Sequence, residues 1–356
     1  MVAPVGEHLI ALYLRQASSN IKVFDRKGKF EQQVQFSKLV TVGGFGGEAD
    51  GSEIFFTVQS FTMPPRVYRL PLGDRDLAPE FWEGVQSGFD SSQYRVEQVT
   101  YKSKDGTPVT MFLTSKKGVE RTRKTPTLLY GYGGFTLKQT PRFDAARFVF
   151  IETGGVLAVP NLRGGGEYGE AWHEGGMLAK KQNCFDDFIA AAEYLIREKV
   201  TDAEHLAIMG GSNGGLLVGA ALTQRPDLFK AAVCQVPLLD MVRYHQFLIA
   251  KQWIPEYGSS DDPDAFRWLH AYSPYHRVKA DTAYPAVLLT AAEADTRVDP
   301  LHARKMAARL QSATSSDRPV FLRLETKAGH GVGKPRTKVL EEQTDIWSFL
   351  FAELGL

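Results

Sequence analysis

His205-Leu206-Ala207-Ile208-Met209-Gly210-Gly211-Ser212-Asn213-Gly214-Gly215-Leu216-Leu217 sets a serine among glycines at the end of a short apolar run. Leu206 to Met209 suit a buried strand. Gly210, Ser212 and Gly214 form the pattern G-x-S-x-G, in which a serine sits on a tight strand-to-helix turn and exposes its hydroxyl. The glycines are needed because a side chain would clash in so sharp a turn. The bare pattern is common by chance, so its surroundings must agree with it. Leu216 to Gln224 is helix-like and stops before Pro226, as helices do. A glycine-rich structural turn is the bland alternative; a nucleophile elbow implies an α/β-hydrolase fold.

Outward from this elbow, strand-like runs alternate with helical ones. Thr127–Tyr130, Gly155–Pro160, Ala231–Val236 and Ala286–Thr290 are apolar and short. Phe185, Phe188, Ile189, Ala192, Leu195 and Ile196 mark one helix face, with Asp186 and Asp187 expected in its first turn. Val339, Leu340, Ile346, Trp347 and Leu350 suggest a closing helix. Such alternation predicts an α/β class, a mostly parallel, doubly wound sheet covered on both faces. A hairpin precedes it, with strands at Tyr94–Tyr101 and Pro108–Thr114 joined through Asp105-Gly106.

A hydrolase of this kind needs an acid and a histidine downstream, in the order Ser, Asp/Glu, His. Beyond Ser212 lie His245, His270, His276, His302 and His330. His330 is flanked by Gly329 and Gly331, in the loop Lys327–Gly333 after a strand at Val320–Leu324. The other four have helical or polar, surface-like contexts and read as structural. Asp295 follows the strand at Val287–Thr290 by a loop length, where an acid belongs. Its rival, Asp299, precedes Pro300 and also reads as a helix cap. An oxyanion hole calls for the Asn213 N–H and a second donor from an early loop. Tyr130-Gly131-Tyr132-Gly133-Gly134-Phe135 is that loop, where a phenol or a bare amide can serve.

Residues 1 to about 88 read differently. Leu9–Leu14, Ile21–Phe24, Glu53–Val58 and Val67–Leu70 are short strand-like runs. Ser18-Ser19-Asn20, Lys27-Gly28, Asp50-Gly51, Pro64-Pro65 and Leu72-Gly73-Asp74 read as turns between them. Even spacing of short strands suggests propeller blades. At about 40–45 residues a blade, this stretch holds roughly two. A closed propeller needs at least about four. The expected division is 1–88 as an incomplete β-propeller remnant and 89–356 as the catalytic domain.

Composition excludes more than it proposes. Forty-two basic against 41 acidic side chains leave a formal charge of +1. That balance gives no reason to expect nucleic acid or an anionic membrane as a partner. Cys184 and Cys234 are too few and too far apart for a disulfide framework or a zinc site. With no basic leader and no apolar run long enough to span a bilayer, a soluble, reducing, cytoplasmic setting is expected.

Taken together, the segments resemble the prolyl oligopeptidase family. The likeness rests on Tyr130–Phe135, Asn161-Leu162-Arg163-Gly164-Gly165-Gly166-Glu167-Tyr168-Gly169, Lys181–Phe188, Gly210–Leu217, Gln224–Phe229 and Lys327–Gly331. The resemblance implies an endopeptidase that cuts short proline-containing peptides after proline, with no metal, no cofactor and no obligate protein partner. It implies Ser212, Asp295 and His330 as the triad, and the Tyr132 hydroxyl and Asn213 N–H as oxyanion donors. Trp253 matches the indole that stacks on the substrate proline, and Phe135, Leu238, Tyr257 and Val298 match other walls of that pocket. Arg297 matches a guanidinium that holds a substrate carbonyl. From the residues alone, Trp253 reads as core and Arg297 as a surface ion-pair partner. The family carries a seven-bladed propeller inserted in its hydrolase sequence, so this chain looks like a fragment or an internal start. The competing expectations are an inactive or weakly active fragment of such an enzyme, or a related oligopeptidase of different specificity.

Overall fold

The elbow lies within an eight-stranded, mostly parallel sheet. In the computed structural model, which describes residues 1–73, 78–85, 88–326, 328–331 and 334–356, the chain forms three sheets. Strands β1 (Val2–Val5), β2 (His8–Arg15), β3 (Ser18–Asp25) and β4 (Phe30–Val34) make an antiparallel meander. Strands β5 (Thr41–Gly46), β6 (Glu53–Ser60), β7 (Met63–Pro71) and β8 (Glu80–Gly84) make a second. Each is one four-stranded blade, and the two pack around Val5, Ile10, Ile54, Phe56 and Leu70. Two blades make a partial propeller, as the strand spacing led one to expect.

Two turns lie elsewhere than the sequence suggested. Ser18, Ser19 and Asn20 belong to β3, and the hairpin turns instead at Gln16-Ala17, both with positive φ (48° and 55°). A two-residue hairpin loop with both residues in that region matches the twist of its strands, and nothing in Gln-Ala advertises it. Pro64 and Pro65 lie inside β7, where the register slips between Val58 and Ser60 of the partner strand. Proline is tolerated at such an irregularity because no ladder N–H is required there. Lys27-Gly28 and Asp50-Gly51 do fall between strands. Asp74 lies outside the described residues.

The third sheet has eight strands: β9 (Tyr94–Lys102), β10 (Pro108–Lys116), β11 (Thr127–Tyr130), β12 (Val156–Pro160), β13 (Leu206–Gly211), β14 (Ala231–Gln235), β15 (Ala286–Ala292) and β16 (Val320–Glu325). Their order is β16-β15-β14-β13-β11-β12-β10-β9. From β12 to β16 neighbouring strands are parallel, and only β10 runs against them. Helices Lys181–Arg197, Asn213–Gln224 and Leu301–Ala313 cover one face, burying Phe185, Phe188, Leu216 and Met306. Helices Ala145–Glu152 and Arg336–Leu354 cover the other, burying Phe150, Ile346 and Leu350. This is the doubly wound α/β-hydrolase arrangement. Strand β12 lies on one side of β11 and β13 on the other, so the winding reverses at β11, and ligands bind at the carboxyl ends of strands beside such a switch.

Helix Lys181–Arg197 begins earlier than its apolar face suggested, so Asp186 and Asp187 are not in its first turn. Asp187 is fully buried and accepts from the Arg163 N–H (3.0 Å) and guanidinium (2.6 Å). It locks the Asn161–Gly169 segment to the helix. The pairing outweighs what a helix dipole offers, because a buried carboxylate needs a partner.

Candidate active site

Each strand that ends beside the switch delivers one group. Strand β13 ends in the elbow, where Ser212 holds φ 56°, ψ −116°, a conformation unusual for a residue with a side chain. The surroundings enforce it. A Cβ on Gly214 would lie 2.5 Å from the Gly131 carbonyl oxygen, and one on Gly215 would lie 2.6 Å from Pro237. Only glycine lets the elbow, the β11 loop and the β14 loop approach so closely. The Ser212 N–H is tied to the Gln235 carbonyl at 2.8 Å.

The loops after β15 and β16 bring the acid and the imidazole. His330 Nε2 lies 3.2 Å from Ser212 Oγ, and His330 Nδ1 lies 2.6 Å from Asp295 Oδ2. Asp295 is buried, and its other oxygen accepts the N–H groups of Arg297 (2.8 Å) and Val298 (2.9 Å). Burial alone would raise its pKa, but the imidazole and the two backbone donors outweigh burial and hold it below the usual carboxylate range. Asp299 instead accepts the Leu301 N–H at 2.9 Å, the first N–H of helix Leu301–Ala313. Lys327, Val332 and Gly333 of the histidine loop lie outside the described residues. Of the other histidines, His245 and His302 are buried rather than surface-like. His302 accepts the Asp240 N–H at 3.1 Å.

Ser212 opens on a cleft of about 340 Å³ lined also by Tyr132, Phe135, Leu238, Trp253, Tyr257 and Arg297. Burial pushes the Tyr132 phenol up to about 12, so it keeps its proton at neutral pH and can donate. Helix Asn213–Gln224 starts at Asn213, whose N–H is among the four that a helix leaves without an internal partner. Its side chain ties the loops together: Asn213 Nδ2 donates to the Tyr132 carbonyl (2.5 Å) and the Tyr257 hydroxyl donates to Asn213 Oδ1 (2.7 Å). Phe135 and Tyr257 meet edge to face, with centroids 5.6 Å apart.

Val298 is buried, and its N–H serves the Asp295 carboxylate; its side chain is not among the residues that line the cleft. Two lining residues were missed, Leu137 and Gln252. Gln252 precedes Trp253, and that adjacency was its only signal; Leu137 lies in an irregular loop with no periodicity to read.

A buried acid also braces the Tyr132 loop. Glu167 Oε1 accepts the Gln139 N–H at 2.7 Å, while Oε2 has no hydrogen-bond partner among the described residues. Burial, only partly offset by its hydrogen bonds, pushes this carboxyl up to about 7 from 4.5. A raised carboxyl pKa means that stability is fully present below the unfolded value and is lost as pH rises through the folded one, here across about pH 4.5 to 7. Glu167→Gln keeps the carbonyl acceptor and abolishes the ionisation. It is expected to match the wild type in thermal melts near pH 4 and to be more stable at pH 8, by roughly 1–3 kcal/mol. Equal melting differences at both pH values would contradict this.

A mostly parallel sheet, a glycine elbow and a hydroxyl–imidazole–carboxylate chain are the features of the α/β-hydrolase fold. The model of the prolyl oligopeptidase family matches residues 141–356, and that of the prolyl oligopeptidase N-terminal β-propeller domain matches residues 1–79. The chain belongs to the prolyl oligopeptidase family. A prolyl endopeptidase of Elizabethkingia miricola is 40% identical over 352 residues, 99% of this chain and 50% of that protein. A solved structure from a study of two prolyl endopeptidases superposes with TM-score 0.93 at 48% identity, covering 100% of this chain and 52% of the other. Prolyl oligopeptidase B of Galerina marginata, bound to a 35mer hydrolysis and macrocyclization substrate, superposes with TM-score 0.91 at 32% identity, covering 100% and 51%. The chain spans about half the length of the curated relatives it matches. Among the described residues no helix is long and apolar enough to cross a membrane.

Proposed function

We propose that this protein is a serine endopeptidase that cuts short peptides on the carboxyl side of proline, through an acyl-enzyme on Ser212. The observation that carries the reading is the unbroken Ser212–His330–Asp295 chain beside an aromatic cleft. His330 Nε2 takes the Ser212 proton as Oγ attacks the carbonyl, and Asp295 holds the imidazole in the required tautomer and stabilises its charged form. The Tyr132 hydroxyl and the Asn213 N–H receive the developing oxyanion. Protonated His330 then passes its proton to the leaving amine, and water repeats the sequence on the ester.

Proline fits this cleft on physical grounds. Its ring is apolar and it carries no N–H to satisfy. Trp253, half-buried against the core, offers a flat face, and Phe135, Leu238 and Tyr257 supply apolar walls. The exposed Arg297 is free to donate to a substrate carbonyl. A pocket for basic side chains needs a carboxylate in its lining, and the residues that line this cleft include none. We assign residues 1–88 to the blade segment and 89–356 to the catalytic domain. Two buried free cysteines fit a reducing, cytoplasmic setting.

The test is specificity. Trp253→Ala is expected to lower kcat/KM for a reporter with proline before the scissile bond by about 5–150-fold, and less for the alanine counterpart. Equal losses on both peptides would make Trp253 a general core residue. A wild type that cuts only after basic residues would sink the assignment.

A further inference from the structure

The segment Gly131–Gln139 carries both Tyr132 and Phe135, yet has no regular secondary structure. Phe135 and Thr136 each hold φ 56°. Such conformations cost on the order of 1 kcal/mol or more apiece, so they persist only where neighbours impose them. At Phe135 the grip comes from Glu256, on the short helix Ile254–Tyr257. Glu256 is buried, and its Oε1 accepts the Phe135 N–H at 3.1 Å.

Two further side chains hold that carboxylate. Lys181 is fully buried, and its ammonium reaches Glu256 Oε1 at 3.3 Å and the Gly133 carbonyl at 2.9 Å. One ammonium thus ties the carboxylate to the residue after Tyr132. On the other side, His173 Nε2 lies 2.8 Å from Glu256 Oε2. The three residues come from three separate helices and converge on one loop of the cleft.

We propose that Glu256 is a positioning residue for proline selectivity: clamped by Lys181 and His173, it fixes the Phe135 amide, and with it the Phe135 wall and the reach of Tyr132. The inference rests on the peptidase reading above. It also gives the cleft a pH-dependent setting. The charged groups facing the His173 imidazole are Glu170 on its own helix (3.0 Å from Nδ1) and Glu256 opposite, with Lys181 beyond Glu256. Only the imidazolium donates through both nitrogens. Burial disfavours that charged form, but the hydrogen bonds to Glu170 and Glu256 outweigh burial and raise the His173 pKa above the ordinary value. As pH rises past it, one of the two bonds is lost and the grip on Glu256 weakens. Titration of His173 therefore changes the ratio between peptides.

The experiment compares kcat and KM for proline and alanine reporters, from about pH 6 to 9, in the wild type and three variants. Glu256→Gln is expected to lower kcat/KM for the proline reporter about 10–100-fold, and for the alanine reporter less, as sub-ångström to ångström misplacement does. Because Glu256→Gln orphans a buried ammonium, a second variant, Lys181→Met with Glu256→Gln, removes both charges. It is expected to regain thermal stability without regaining selectivity. His173→Gln is expected to flatten the fall of the proline-to-alanine ratio with rising pH. Wild-type selectivity in both Glu256 variants, or a pH-independent ratio in the wild type, overturns the proposal while leaving the peptidase reading intact. A wild type that turns over neither peptide overturns both.

Discussion

Replacing Ser212 by alanine is expected to lower turnover of a proline-containing reporter by about 10⁴–10⁶-fold and to leave the melting temperature within a few degrees of the wild type. The hydroxyl is the atom 3.2 Å from His330 Nε2, and nothing else in the lining offers a nucleophile at that distance among the described contacts. The side chain caps no helix and holds no loop, so the fold loses little with it. The positive φ at this position costs alanine about what it costs serine, since both carry a Cβ. Residual activity comes from the oxyanion donors and from binding. Steady-state kinetics, with a fluorophosphonate label on the wild type, measures the loss directly. A variant that keeps a tenth of the activity places the nucleophile elsewhere.

Asp295→Asn is expected to cost about 10⁴-fold in kcat with the geometry of the site preserved. The reason lies in the two oxygens. Oδ1 accepts two backbone N–H groups, from Arg297 and Val298, so an asparagine must keep its carbonyl there. Its amide N–H₂ is then driven toward His330 Nδ1, where the carboxylate oxygen stood 2.6 Å away. Facing a donor, Nδ1 must accept, which moves the imidazole proton to Nε2. An Nε2–H cannot take the proton of Ser212. Asp299→Asn is the control: its oxygen caps the Leu301 N–H, and asparagine caps as well as aspartate. The rival readings of the two acids therefore separate by orders of magnitude in kcat, and similar losses in both variants would reject the assignment of Asp295.

The elbow and the sheet were legible because local rules and tertiary need coincide there. Gly210, Gly214 and Gly215 are demanded by backbone contacts, and strands buried on both faces read as continuous apolar runs. His330 was legible for its flanking glycines and its place after a strand. The blades were less so. Strands β1, β4, β5 and β8 are short and largely exposed, with proline, polar residues or glycine where alternation would have signalled them. Their pairing comes from neighbours and not from their own propensity. Asp187, Glu256, Lys181 and His173 were invisible as a group for another reason. A buried charge announces itself only through its partners, and these partners come from segments far apart in sequence. Val298 shows a role the resemblance did not supply: its backbone N–H serves Asp295.

The site is stitched from contacts that span great lengths of chain. His330 meets Ser212 across 118 positions, and Phe135 meets Glu256 across 121. Such contacts form late in folding, because the entropy of closing the loop is spent before the contact returns anything. During synthesis the elbow at Ser212 emerges well before the imidazole that activates it, and the last strand and closing helix must dock to hold His330 in place. The Ser212–His330–Asp295 arrangement is therefore among the last features the chain assembles.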